Sequence, residues 1–129
     1  MGDELFRQQP HTRAQGRVGE SEAADWLRRQ GYRVVARNVA NKAGEIDVVA
    51  WDGGTLCFIE VKSRSTATYG PAIEAISAAK QRKIARAAAL YLAYHPCDAP
   101  CRFDVLAMDL ADDGWRFTLV RNAFEAPSR

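Results

Sequence analysis

The sequence predicts a single α/β domain built on a mixed sheet, and three observations lead there. The chain has 129 residues, the length of one domain. Two stretches carry helical periodicity, and between them lie three short apolar runs of strand type. The second helical stretch separates the third strand run from the fourth and is long enough for a parallel crossover. A chain of this size buries roughly two-thirds of its unfolded surface, so no disulfide or metal staple is needed.

Residues 1–11 are polar and patternless and read as a flexible N-terminal tail ahead of a domain over 12–129. Thr12, with Gln15 three residues on, has the spacing of a capping box and predicts a helix from Arg13 to about Gln30. Gly31 is placed to end it in the left-handed conformation. A short strand follows over 32–38, then a turn at Asn41-Lys42-Ala43-Gly44. Strands over about 45–51 and 56–63 are joined by Asp52-Gly53-Gly54-Thr55, a strong hairpin signal. Residues 64–71, rich in Ser, Thr, Gly and Pro, read as a loop. A second helix begins near Ser77 as N-cap and runs to about Tyr94, ahead of Pro96. Strands over 102–109 and 115–120, with Asp112-Asp113-Gly114 between them, complete the order α-β-β-β-α-β-β.

Composition narrows the function classes. With 47% hydrophobic and 26% charged residues the chain is neither disordered, collagen-like nor a disulfide scaffold. Its apolar stretches are too short for a membrane span, and its first residues lack a signal-peptide core, so a cytoplasmic protein is expected. Lys+Arg 18 against Asp+Glu 16 does not announce a nucleic-acid binder in bulk. The basic residues nevertheless cluster, at Arg28, Arg29, Arg33, Arg37 and Lys42 and again at Lys80, Arg82, Lys83 and Arg86; such runs are also what a solvated face looks like. His95, Cys97 and Cys101 lie close in sequence, but no second ligand pair of zinc-site spacing accompanies them. Trp26, Trp51 and Trp115 could stack on bases, although each falls on an ordinary amphipathic element suited to packing. Gly16-Arg17-Val18-Gly19 has the GxxG form of an RNA-binding KH loop but lies inside the first helix, in the wrong element order.

The central hairpin permits a register argument. Pairing Asp52 with Thr55 and Trp51 with Leu56 sets an index sum of 107, which puts Asp47 opposite Glu60 and Glu45 opposite Lys62 on one face. Two carboxylates ~5 Å apart at an effective dielectric near 20 repel by about 3 kcal/mol. A hard divalent cation reverses that sign, because carboxylate oxygens are what Mg²⁺ selects. The alternative is that both carboxylates are solvated, or neutralised by Lys62 and nearby arginines. On the first helix Glu20 shares the apolar stripe of Ala23, Ala24 and Leu27, and on the second Lys80 shares a face with Ile84, Ala87, Ala88 and Tyr91. Both would join the hairpin patch if the two helices packed on that face of the sheet. Glu20, Asp47, Glu60, Lys62 and Lys80 together are equipment for hydrolysing a phosphodiester: carboxylates for Mg²⁺, Lys62 to orient water or neutralise the phosphoryl group, Lys80 at a helix N-terminus for a neighbouring phosphate.

Asp47, Glu60-Val61-Lys62, Glu20 ahead and Lys80 behind resemble the PD-(D/E)xK nuclease superfamily. Gly19-Glu20, Gly44-Glu45-Ile46-Asp47-Val48-Val49-Ala50, Phe58-Ile59-Glu60-Val61-Lys62-Ser63-Arg64 and Arg102-Phe103-Asp104-Val105 more closely resemble the YraN family of predicted endonucleases, in order over roughly residues 14–124. The resemblance implies a restriction-endonuclease-like fold close to that of Holliday-junction resolvases. It also implies Mg²⁺ or Mn²⁺ on Asp47, Glu60 and the Val61 carbonyl, assistance from Glu20, and catalytic service from Lys62. Lys80 matches a further polar position on the second helix, and Ile46 stands where the superfamily's name has proline. Glu45, opposite Lys62, could equally be a salt-bridge partner.

The leading expectation is a metal-dependent endonuclease acting on DNA, branched or single-stranded, with Arg28, Arg29, Arg64, Arg82, Lys83 and Arg86 on phosphates. A homodimer would suit the symmetric cutting of two strands. The rival is a nucleic-acid-binding module with nuclease-like geometry and no turnover, whose affinity would fall steeply with salt.

Overall fold

The computed structural model describes residues 13–64 and 76–126, with 13–18 and 64 described by backbone alone. The tail, Thr12 and the loop over 65–71 lie outside the described residues. Among the described residues seven elements follow in the predicted order: α1 (Arg13–Arg29), β1 (Arg33–Asn41), β2 (Gly44–Asp52), β3 (Thr55–Arg64), α2 (Ala78–Tyr94), β4 (Cys101–Ala111) and β5 (Gly114–Phe124).

The helix ends are set by the residues that the sequence placed there. Gly31 takes φ +99°, Tyr32 N–H donates to the Leu27 carbonyl and Gly31 N–H to that of Arg28, the two bonds of a Schellman stop. At the start of α2, Ser77 is extended and its Oγ accepts the Lys80 N–H at 3.1 Å. The strands run longer than their apolar cores, because pairing carries on into the polar residues of each turn. β1 thus reaches Asn41 and pairs it with Gly44 across the Lys42-Ala43 turn.

The sheet order is β1-β2-β3-β4-β5; β3 and β4 are parallel and every other neighbour antiparallel. The mixed sheet and the crossover through α2 are as the sequence predicts. The two helices lie on opposite faces. Ala23 and Leu27 of α1 pack with Val48, Ala50, Cys57, Ile59, Leu106 and Met108. Ile84, Ala87 and Ala88 of α2 pack with Val49, Leu56, Phe58, Phe103 and Val105. The condition that both helices share the hairpin's charged face is therefore not met. Both faces of β2 and β3 are apolar, so each needs its own cover.

Both outer strands are irregular. β1 shifts register between Val34 and Ala36 and places Asn38 at φ +53°. β5 has Asn122 at φ +54°, beside a register shift between Phe103 and Val105 of β4. No described helix is long and apolar enough to cross a membrane.

Candidate functional site

The hairpin register holds from Asp52–Thr55 to Val48–Ile59, every pair at the index sum of 107. The ladder stops one rung before Asp47 and Glu60. There the Asp47 carboxylate takes over from the backbone: its Oδ2 accepts the Val61 N–H at 2.8 Å. Ile46 packs on the α2 side of the sheet while Val48, two residues on, packs on the α1 side. Two positions of equal parity on opposite faces mean that β2 twists at Asp47, which is where it leaves β3. Glu45 and Lys62 are accordingly not ladder partners; Glu45 lies across from Ala40 of β1.

Asp47, Glu60 and Lys80 still come together on the α2 side. Glu60 alternates with Phe58 and is buried, 6% exposed. Lys80, in the first turn of α2, brings Nζ to 3.4 Å from Glu60 Oε2, with its own side chain 48% exposed. The cation that answers the acidic patch is thus Lys80, and its charge is felt at Glu45 and Asp47 as well. Lys62 is half-buried two residues beyond Glu60.

Burial lifts the Asp47 carboxyl well above the usual carboxylate range, and the nearby charges of Glu60 and Glu45 lift it further, against the pull of the Val61 N–H and of Lys80. Glu45 is raised in the same way, by burial first and then by Glu20 and Glu60. Among the described residues, the ion pair recorded in this patch is Lys80 with Glu60.

Glu20 reaches this patch from the other face, around edge strand β1. Its Oε1 accepts a hydrogen bond from Asn38 Nδ2 at 3.0 Å. Asn38 falls between the pairs Arg37–Val48 and Val39–Ile46, so it stands across from Asp47. Sequence reasoning missed Asn38, because a left-handed asparagine inside a strand has no periodic signature; the only signal is the residue type's tolerance of that conformation.

Whether these residues suit a divalent ion can be tested on the donor set. Among the described residues no three His, Cys, Asp or Glu side chains stand together as a ready ligand group. Mg²⁺ does not need one: it takes one or two carboxylates and keeps water on its other positions. Asp47 and Glu60 provide two. N–H and C=O of one strand residue leave on the same side, so the Val61 carbonyl also faces the gap beyond the ladder's end. The residues fit such an ion.

The basic residues divide between the faces. Arg82, Lys83 and Arg86 are exposed on α2, and of the three Lys83, one turn on, lies nearest Lys80. Lys42 is exposed in the β1–β2 turn, which α2 holds close: Asn41 Nδ2 donates to the Ala87 carbonyl at 3.2 Å. Arg28 and Arg29 lie at the far end of α1, where Arg28 pairs with Asp25 at 3.2 Å. The Arg64 side chain lies outside the described residues.

The fourth motif, around Arg102 and Asp104, stands apart from this patch. Asp104 is fully buried and accepts from Arg102 Nε at 2.8 Å, a second Arg102 nitrogen at 2.9 Å, the Tyr32 hydroxyl at 3.1 Å and the Asn122 N–H at 2.8 Å. Arg102 also bridges to Asp52 at 2.8 Å. Burial, and then the charge of Asp104 with its hydrogen bond, pushes the Tyr32 hydroxyl up to about 12. The motif ties β2, β4, β5 and the end of α1 into one clamp.

A family model described as uncharacterised protein family UPF0102 matches residues 19–108, a span that holds Glu20, Asn38, Asp47, Glu60, Lys62 and Lys80. A UPF0102 protein of Symbiobacterium thermophilum is 50% identical over 117 residues, covering 89% of this chain and 99% of its own length. One of Chlorobium phaeobacteroides is 49% identical over 94 residues, 72% of this chain and 75% of its own. One of Herminiimonas arsenicoxydans is 37% identical over 123 residues, 94% and 96% respectively.

Proposed function

The chain belongs to the uncharacterised family UPF0102, and from the site it carries we propose that it is a metal-dependent endonuclease hydrolysing phosphodiester bonds in DNA. One observation carries the reading: where the β2–β3 ladder ends, half-buried Asp47 and buried Glu60 stand close enough for the charge of Glu60 to raise the Asp47 carboxyl, with Lys80 ion-paired to Glu60 and Lys62 two residues beyond it. Two carboxylates held close together cost a fold stability, whereas a hard cation makes use of both.

In this reading Asp47, Glu60 and the Val61 carbonyl hold Mg²⁺ or Mn²⁺. Such an ion, when bound, polarises a phosphoryl oxygen and lowers the pKa of its water. The Val61 N–H fixes the Asp47 carboxylate, leaving its other oxygen for the site. Lys62, on the same strand as Glu60, orients the attacking water and stabilises charge that builds on the phosphoryl group. Lys80 leaves Glu60 for the incoming phosphate, a short move for a half-exposed side chain. Arg82, Lys83 and Arg86 continue the positive surface along α2 and hold neighbouring phosphates. Arg28 and Arg29 contribute less, being on the opposite face.

The test incubates the protein with four-way junctions, flaps, single strands and duplexes of DNA and RNA, in Mn²⁺, Mg²⁺ or EDTA, beside Asp47→Ala and Lys62→Ala. Metal-dependent cutting lost in both variants is the expected result. DNA retarded but uncut, equally by wild type and variants, would replace the enzyme with a binding module.

A further inference from the structure

We propose that Asn38 is a positioning residue of this site, holding the Glu20 carboxylate at the Glu45 rim of the acidic patch; the inference rests on the nuclease reading for its catalytic consequence but not for its geometry. Three observations converge on it. The Asn38 backbone is left-handed, φ +53°, in the middle of a strand, where extended residues flank it on both sides. That conformation costs an L-residue about 1–2 kcal/mol, least for Asn, and such strain collects at functional sites. The register sets Asn38 across from Asp47, at the rung where β2 leaves β3. Its Nδ2 donates to Glu20 Oε1 at 3.0 Å.

The geometry solves a problem that the fold creates. α1 packs on the face away from Lys80 and α2, so Glu20 starts on the wrong side of the sheet. An extended residue at position 38 would continue the alternation of β1. The left-handed turn interrupts it at the edge strand, where a side chain can meet a group coming from the α1 face and hold it at the rim of the acidic patch. Glu20 there raises the negative charge that Glu45 feels. Asn122 makes an instructive contrast. It has the same left-handed backbone on the opposite edge strand, yet it serves Asp104 through its main-chain N–H. At Asn38 it is the side chain that does the holding, so the residue type matters and not just the backbone shape.

The substitutions separate backbone from side chain. Asn38→Gly keeps the left-handed φ at no steric cost and removes only the amide. Asn38→Ala removes the amide and restores the backbone penalty. Asn38→Asp keeps size and conformation but sets a second carboxylate against Glu20. Two readouts are used, on the full chain. In the metal-free protein, the Asn38 side-chain amide resonances are expected to move on Glu20→Gln. In cleavage with Mn²⁺, Asn38→Gly is expected to lose about 10–100-fold, the usual effect of removing a group that orients a site residue. Asn38→Asp is expected to fall below it, and Glu20→Gln added to Asn38→Gly is expected to cost nothing further. Amide resonances indifferent to Glu20→Gln, or losses that multiply in the double variant, would overturn the proposal. If the wild type cuts no substrate, the nuclease reading fails, and the amide resonances still decide whether Asn38 holds Glu20.

Discussion

Asp47→Asn should make the metal-free protein more stable at neutral pH, although it removes a residue at the centre of the site. The ~5 Å spacing of a directly opposed pair is the shortest that applies where the strands part, so at an effective dielectric near 20 the repulsion between Asp47 and Glu60 is at most about 3 kcal/mol. Asparagine removes it and keeps an oxygen for the Val61 N–H, at the loss of a charge-assisted bond, about 1 kcal/mol. Some attraction to Lys80 is lost too. A net gain of roughly 1 kcal/mol remains, or about 3–5 °C in melting temperature for a domain of this size. The sign with pH follows from the direction of the shift. The Asp47 carboxyl is raised, so the folded chain holds its proton more tightly than the unfolded chain does. Its destabilising effect is therefore absent below the ordinary carboxylate range and develops as pH rises through the raised value. Glu45 adds in the same sense. The assay is thermal unfolding with EDTA at pH 4 to 8, with variant and wild type meeting at the acid end and separating toward pH 8. A variant no more stable than wild type at pH 8 would refute the argument that the carboxylate pair is under electrostatic strain, and with it the main physical reason to place a cation there.

Further outcomes can be stated briefly. Mn²⁺ at a hundred times its dissociation constant should stabilise the wild type by about 2.7 kcal/mol and leave Asp47→Asn nearly unmoved, as read by melting in a metal series. Asp104→Ala should cost about 3–5 kcal/mol in urea unfolding, because it leaves Arg102, the Tyr32 hydroxyl and the Asn122 N–H without their acceptor; Tyr32→Phe should cost about 1–2 kcal/mol. Replacing Arg82, Lys83 or Arg86 by Gln should reduce the slope of log affinity against log salt by about one each, measured by fluorescence anisotropy on a labelled DNA, with Arg28→Gln changing it less.

What the sequence made legible was whatever local chemistry decides. Gly31 and Ser77 ended and began helices because left-handed glycine and a serine cap are short-range effects. The register of the central hairpin followed from the four residues of its turn, and held over five rungs. The extrapolation failed at the sixth, where twisting β2 to expose the Val61 N–H to a carboxylate is a tertiary decision. Both helices show one apolar stripe, which says that each packs on a sheet but not on which face. The pairing of Glu60 with Lys80 rather than with a strand neighbour depends on that choice. Asn38, and the Tyr32 and Asn122 partners of the Arg102–Asp104 motif, were invisible for a related reason: each contact joins residues whose spacing, 18 in one case and up to 72 in the other, carries no period.

The paired irregularities of the outer strands bear on how copies of this molecule meet. A sheet can be lengthened by another chain only along an edge that offers a regular row of donors and acceptors. Here each edge is broken in mid-strand by a left-handed asparagine and flanked by a register shift. Each break shortens the regular stretch that a neighbouring strand could pair with, one of the means by which edge strands discourage edge-to-edge aggregation. The bend at Asn38, which meets Glu20 on one side, thus also interrupts an edge of the sheet.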